Sequence, residues 1–325
     1  GFDERSNACV VNQNCASGMR ALDIQANNIL LGKEDIGMVI GVESMTNAPY
    51  VLEKARMGYR MGDSKIFDNM LHDGLIDELS GGHMGLTAEN VAEKYGITRE
   101  ECDKIAVRSH NLACKAIDEG IFKDEIVPVV IKSKKGEKVI TDDEHPIRNC
   151  TMETLAKLKP AFKKDGVITA ANASGINDAA AAVILMSWEK CQELGKKPMA
   201  KLVTCVAEGV APEVMGLGPA VAMPKALKAA GLKWEDIDYF EVNEAFSAQV
   251  LGVERMLKED YGYVVDWNKT NKFGSGIALG HPVGASGIIV TLVYEMIRSD
   301  YKYGMASLCV GGGPALASIW TRDFS

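Results

Sequence analysis

Apolar positions along the chain follow two alternating periods. Met19, Leu22, Ile29 and Leu30 recur at helical spacing after the turn-forming Asn12-Gln13-Asn14, and Gly32 is a fitting C-terminal stop. Short apolar runs flank this helix at residues 8–11 and 36–42, and both read as buried strands. Strand, helix and strand in that order imply a parallel sheet with helices covering it.

The same pattern returns near the far end. Ala285-Ser286-Gly287-Ile288 opens an apolar helix, and residues 303–310 and 315–320 read as strands. The first unit carries Ala16-Ser17-Gly18-Met19 and Gly37-Met38, echoed here by Ala285-Ser286-Gly287-Ile288 and Gly304-Met305, which points to an internally duplicated α/β architecture. Between residues 48 and 176 the periodicity loosens, with a capping box at Thr98-x-x-Glu101 and a hairpin turn at Lys134-Lys135-Gly136-Glu137. Buried strands resume at 180–187 and 239–242, and Gly195-Lys196-Lys197-Pro198 reads as a linker. The expected division is a first half at 1–47 plus 177–196, an inserted lobe at 48–176 and a second half at 197–325.

At 325 residues and 47% hydrophobic, the chain is long enough for two packed units, and it has no apolar run that would span a membrane. Its net charge of -8 argues against a nucleic-acid surface, which needs clustered, uncompensated Lys and Arg. Eight cysteines without a C-x-x-C pair suggest neither a disulfide framework nor a zinc knuckle, and fit a reducing, cytoplasmic setting. The chain opens on Gly1 with no secretory leader, as expected if its natural N-terminus lies further upstream.

Three positions invite chemistry. Cys15 stands at the first turn of a helix, where unpaired N–H groups and the helix dipole favour a thiolate. Position alone fits a nucleophile and a small core residue equally well. His281 lies in a rigid glycine-rich loop, Gly280-His281-Pro282-Val283-Gly284, whose backbone can approach a ligand closely. Cys309 ends a strand before Gly311-Gly312-Gly313, which could present N–H groups to an oxyanion and also close a turn. Asn243-Glu244-Ala245-Phe246 follows a strand and begins a helix, with an amide and a carboxylate able to hold a water. As a metal site Cys15, Cys309 and His281 fit no zinc spacing and are one ligand short.

Taken together, Asn12-x-x-Cys15-x-Ser17-Gly18, Asn243-Glu244-Ala245-Phe246, Gly280-His281-Pro282-x-Gly284-Ala285-Ser286-Gly287 and Cys309-x-Gly311-Gly312-Gly313 occur in an order and spacing that resembles the thiolase family. The resemblance runs from Cys9 to the end of the chain. It implies an α/β fold of duplicated βαβαβαββ halves giving a layered α-β-α-β-α core, with an inserted loop lobe. It also implies a preceding segment, with a first strand and helix, that this chain lacks.

The family's chemistry would make Cys15 the nucleophile, His281 its activator and Cys309 the acid/base, with a water on Asn243 and oxyanion contacts from the N–H groups of Cys15 and Gly311. His83-Met84-Gly85 followed by Thr87-Ala88-Glu89-Asn90 resembles the biosynthetic type, which condenses two acetyl-CoA to acetoacetyl-CoA reversibly. Met84 would wall off the acyl pocket. Ser174 and Met215 match segments lining the pantetheine tunnel, Arg148 a contact to the nucleotide end of coenzyme A, and Phe162 and Phe246 residues flanking the pantetheine and the thioester. Coenzyme A thioesters would be the substrates, with no cofactor or metal required.

The segment 49–62 resembles a loop that joins dimers, implying a homotetramer. The alternatives are thiolysis of longer or branched 3-ketoacyl-CoA, and a non-catalytic thiolase-like subunit. Asn14, Ala16 and Pro314-Ala315 depart from the family's commoner residues. They adjoin both cysteines, so they bear on substrate preference and rate, but they remove no catalytic side chain.

Overall fold

In the computed structural model, which describes residues 3–287 and 289–324, the chain makes one tight turn at Asn14–Ala16 and enters helix α1 (Ser17–Leu30). Met19 and Leu22 are its fully buried stripe, and burying each contributes about 2 kcal/mol relative to exposure. Gly32 ends the turn after the helix in the left-handed region at φ +65°. Strand β1 (Ile36–Ser44) follows and pairs antiparallel with β2 (Asp178–Met186). Val39 and Gly41 face inward while Ile36, Met38, Ile40 and Val42 stay exposed, the alternation of a strand covered on one face.

A second sheet is built from β3 (Lys201–Gly209), β4 (Tyr239–Val242), β5 (Tyr303–Cys309) and β6 (Pro314–Thr321), in the order β4-β5-β6-β3. Only β4 and β5 run parallel. Thr270 adds one parallel bridge to Phe240 beyond β4. The antiparallel pair β5–β6 is therefore the counterpart of β1–β2. Between the two pairs lies α1, touching β1, β2 and β6, together with α6 (Val290–Arg298), touching β2, β4 and β5. On the other face of the second sheet α4 (Gly218–Ala230) covers β3, β5 and β6, and α5 (Ser247–Tyr261) packs against α4.

The described residues thus form four layers of the layered α/β fold: α4 and α5, the second sheet, α1 and α6, and β1–β2. No fifth layer covers the outward row of β1 among the described residues.

The lobe between β1 and β2 is not a free-standing insertion. Helices α2 (Met84–Tyr95) and α3 (Arg99–Asp118) pack on α5, and their apolar faces join the same core as Met215, Phe246 and Cys309. The capping box forms as the sequence predicts, with Thr98 Oγ1 accepting the Glu101 N–H and Glu101 accepting the Thr98 N–H. The hairpin pairs Val129–Ser133 with Gly136–Ile140, so its two turn residues are Lys134 and Lys135.

Three sequence expectations shift. Residues 8–11 carry no strand, because no neighbouring strand among the described residues takes their N–H and C=O groups, and Cys9 and Val10 are exposed. Helix α6 starts at Val290 rather than at Ala285. Residues 283–287 form a turn that ends with Gly287 at φ +77°, and Ile288 lies outside the described residues. Helix α5 starts at Ser247, because the preceding tetrapeptide is spent on other bonds: Ala245 O accepts the Ser174 N–H, and Phe246 bridges to Ala173.

Candidate active site

The elbow before α1 fixes Cys15. Asn14 adopts φ +44°, a left-handed conformation that Asn tolerates better than most residues, and its N–H bonds the Asn12 side chain at 3.0 Å. Ser17 Oγ donates to Asn14 O at 2.7 Å and accepts the Gln13 N–H at 2.9 Å, clamping the turn from the helix side. Cys15 itself is 4% exposed.

Burial pushes its thiol up from an ordinary value near 9 to about 11, although the N–H groups of Gly311 and Cys15 face the sulfur and pull the other way. The helix-start argument predicts a lowered thiol, and the structure reverses the sign. Loss of water outweighs two oriented N–H dipoles, and Glu43 adds a like charge nearby.

His281 is held by the loop that precedes α6. Gly280 stands at φ +97° with the Asn177 side chain where a Cβ would project, so both conformation and space demand glycine. The imidazole Nδ1 is 2.7 Å from Ser286 Oγ and 3.3 Å from the Asn243 side-chain amide. Its Nε2 is buried without a hydrogen-bond partner. Burial lowers this imidazole to about 4, so it rests neutral. Glu43 ties the two loops together, accepting the Gly284 N–H at 2.9 Å while lying close enough to Cys15 to perturb it.

Cys309 ends β5 with no exposed surface. Burial drives its thiol far up, and Cys15 lies near enough to add to the rise. The glycines after it do close a turn: Val310 N–H bonds Pro314 O at 2.9 Å, and Gly313, at φ +103°, leaves no room for a Cβ against Val210 O. Gly311 has a second reason to lack a side chain. A Cβ there would overlap the Met84 methyl and lie 3.4 Å from Asn14 Nδ2.

The other candidates divide. Met84, Met215 and Phe246 share a core cluster with Cys309. His83 stacks on Phe162 at 4.6 Å, and Phe162 meets Phe246 edge-on at 6.0 Å, forming an aromatic wall beside Met84. His83 Nδ1 accepts the Gly85 N–H, which caps α2. Ser174 runs beside this wall through its bond to Ala245 O. Arg148 is at the exposed surface in an ion pair with Asp118 and joins none of these groups. Among the described residues no three His, Cys, Asp or Glu side chains converge as a metal set.

The Asn243-Glu244 pair separates into two roles. Asn243 reaches His281, whereas Glu244 is fully buried and accepts from Ser109 Oγ at 2.5 Å and Asn271 Nδ2 at 2.9 Å, which anchors the strand end. Sequence reasoning passed over Ser286, Glu43 and Asn177. Ser286 lay inside a quoted motif, but nothing in the sequence shows that its hydroxyl turns back onto the imidazole.

A layered α/β fold thus brings two buried cysteines and a buried, partnerless imidazole nitrogen to one site, with no ion pair among them. Residues 1–189 match the family described as thiolase, N-terminal domain, and residues 196–322 match thiolase, C-terminal domain, so the chain belongs to the thiolase family. It is 53% identical to an acetyl-CoA acetyltransferase from Syntrophomonas wolfei over 98% of this chain and 80% of that protein. A solved structure of acetyl-CoA acetyltransferase from the same organism superposes with a TM-score of 0.98 at 67% identity, covering 99% of this chain and 82% of that one. Human mitochondrial 3-ketoacyl-CoA thiolase superposes with a TM-score of 0.91 at 41% identity, over 96% of this chain and 78% of that one.

The lowered imidazole predicts a pH signature. The unfolded chain protonates His281 below about 6.5, whereas the folded protein does so only near 4, so the unfolded state binds more protons in that window and stability falls as pH drops through it. Replacing His281 by Gln should flatten the acid arm of a urea-midpoint curve between pH 6.5 and pH 4. Parallel curves for the two proteins would show that His281 is not buried neutral.

Proposed function

We propose that this chain is an acetyl-CoA C-acetyltransferase that condenses two acetyl-CoA to acetoacetyl-CoA and coenzyme A, reversibly, through an acetyl-Cys15 intermediate. The observation that carries this reading is a buried Cys15 thiol facing the Gly311 N–H, with a second buried thiol, Cys309, near enough to interact with it and Met84 pressed against that glycine. A single buried cysteine would serve acyl transfer alone. A second one beside it supplies the base that carbon–carbon bond formation needs.

In the first half, His281 Nε2 takes the Cys15 proton as the sulfur attacks the acetyl carbonyl, and the N–H groups of Cys15 and Gly311 hold the oxyanion. The carbon–sulfur bond to coenzyme A breaks, and the departing thiolate takes the Cys309 proton. In the second half, the Cys309 thiolate removes an α-proton from another acetyl-CoA, and the imidazolium with a water on Asn243 stabilises the enolate. The enolate carbon attacks the acetyl group, the bond to Cys15 breaks, and the imidazolium returns its proton to Cys15. Every proton is restored, and this sequence calls on no cofactor or metal.

Raised thiols suit the scheme. A thiol that stays protonated at rest is available as an acid, and once ionised it is a strong base for a weak carbon acid. Ser174, Met215, Phe162, Phe246 and His83 would line the pantetheine and acyl channel, and Arg148, free at the surface apart from its pair with Asp118, would meet the nucleotide end. The setting we propose is cytoplasmic, and no described helix is long and apolar enough to cross a membrane.

Intact-mass analysis with acetyl-CoA tests the roles of both cysteines. Cys15→Ser should lose the acetyl adduct, and Cys309→Ala should gain it without forming acetoacetyl-CoA; an acetylated Cys15 variant, or normal condensation by the Cys309 variant, would refute the assignment. Met84→Ala should raise thiolysis of longer 3-ketoacyl-CoA at least several-fold relative to acetoacetyl-CoA. If the unaltered protein already prefers the longer substrates, it is a degradative 3-ketoacyl-CoA thiolase instead. The segment 49–62 exposes Met57 and Met61 to solvent, which supports a dimer-joining role and a homotetramer. Mass measurement in solution should then give four copies, and a stable monomer or dimer would contradict it.

A further inference from the structure

Neutral imidazole has one N–H, and only its bare nitrogen can take a proton. A buried histidine base therefore works only if its environment selects the right tautomer. His281 is deeply buried, at 7% exposure, and the groups around its ring make that selection.

Ser286 Oγ stands 2.7 Å from His281 Nδ1 and donates to Pro282 O at 3.0 Å. A hydroxyl has one hydrogen. With that hydrogen on the Pro282 carbonyl, which can only accept, the oxygen can meet Nδ1 only as an acceptor, so Nδ1 carries the ring hydrogen. Pro282 O also receives the main-chain N–H groups of Ala285 and Ser286 at 2.9 Å each, which closes the turn and places the hydroxyl over its own carbonyl partner.

One further observation points the same way. Nε2 is buried with no partner, and a buried ring N–H with no acceptor would be the costlier orphan, since an unpaired donor is rarer in folded proteins than an under-used acceptor. The Asn243 amide lies 3.3 Å from Nδ1 with its Nδ2 toward the ring, and because its two ends exchange by a half-turn of the side chain this contact does not choose between the tautomers.

We propose that Ser286 is a positioning residue that holds His281 in the Nδ1–H tautomer, leaving Nε2 bare inside the site. The catalytic meaning of this rests on the reading of His281 as the activator of Cys15. The tautomer itself does not. Ser286 touches neither substrate nor thiol in this scheme, and acts through the imidazole alone. Its carbonyl and ring contacts are both made within residues 281–286, so the device is local and does not depend on the distant core.

Nitrogen NMR of protein labelled in its five histidines reads the tautomer directly, because protonated and bare ring nitrogens resonate far apart, and His281→Gln identifies the signal. The unaltered protein should show His281 with Nδ1 protonated and Nε2 bare. Ser286→Ala should move population toward the Nε2–H form and slow Cys15 acetylation by acetyl-CoA on the order of tenfold or more, as loss of a partner that orients a histidine commonly does. Ser286→Thr, which keeps the hydroxyl, should restore both. An Nε2–H signal in the unaltered protein would overturn the assignment, whether or not the alanine variant folds. So would an alanine variant that keeps the Nδ1–H signal. If the Nδ1–H form is present but Cys15 is never acetylated, the acetyl-transfer reading fails while the tautomer assignment stands.

Discussion

Two thiols and an imidazole lose nearly all their solvation where the ends of β5 and α1 and the loop before α6 meet, and the cost of charging any of them there governs what the surrounding chain supplies. None can ionise cheaply alone. The two thiols are pushed up and the imidazole down, so all three rest uncharged. What the fold contributes is a set of oriented dipoles with no net charge: the N–H groups of Cys15 and Gly311, the Ser286 hydroxyl and the Asn243 amide. Such groups stabilise a developing charge more than a resting one, which is the condition for catalysis rather than tight binding.

Keeping water out requires backbone and side chains to approach without gaps, and the glycines show where that requirement bites. At Gly280 a side chain would collide with Asn177, at Gly313 with the Val210 carbonyl, and at Gly311 with the Met84 methyl. The first two also sit at positive φ, so their identity is set twice over. Gly311 is set by space alone. In the proposed mechanism its contact with Met84 would join the oxyanion side of the site to the acyl side, so the residue proposed to shape chain-length preference also packs the group proposed to bind the oxyanion.

Much of this was legible in the sequence, and the parts that were not share a cause. Helix α1, the strands β1, β2 and β4 to β6 and the capping box at Thr98 follow from local periodicity and turn chemistry, and the structure places them within two residues of expectation. Cys15, His281, Cys309 and Asn243 were singled out by their motifs, and the structure buries Cys15, His281 and Cys309 and sets the Asn243 amide 3.3 Å from His281. Residues 8–11 have the composition of a strand but no partner strand among the described residues, and pairing is not a property of one segment.

The sign of the Cys15 shift was missed for a similar reason. A helix start can be read from sequence, whereas the depth of burial that overrides it depends on Gly311, Glu43 and the packing of two sheets. The bond from Ser286 to the imidazole depends on a turn of five residues in which an apolar run favoured helix. The departures at Asn14 and Ala16 acquire local explanations, since the first takes up a left-handed turn and faces Gly311, and the second is wholly buried under the elbow.

Under the proposed mechanism the opposite displacements of the imidazole and of Cys309 would also fix an order of events. A thiol held far above its ordinary range will not give up a proton to solvent, so Cys309 becomes a base only after a stronger demand has taken that proton from it. The departing thiolate of the first half-reaction is such a demand, newly formed in the same dry pocket. The base for the second half is therefore generated by completion of the first. On the proposed roles, a site arranged this way would not enolise a second thioester before Cys15 is acylated, and the cost of burying one thiol would become a means of keeping two chemical steps in sequence.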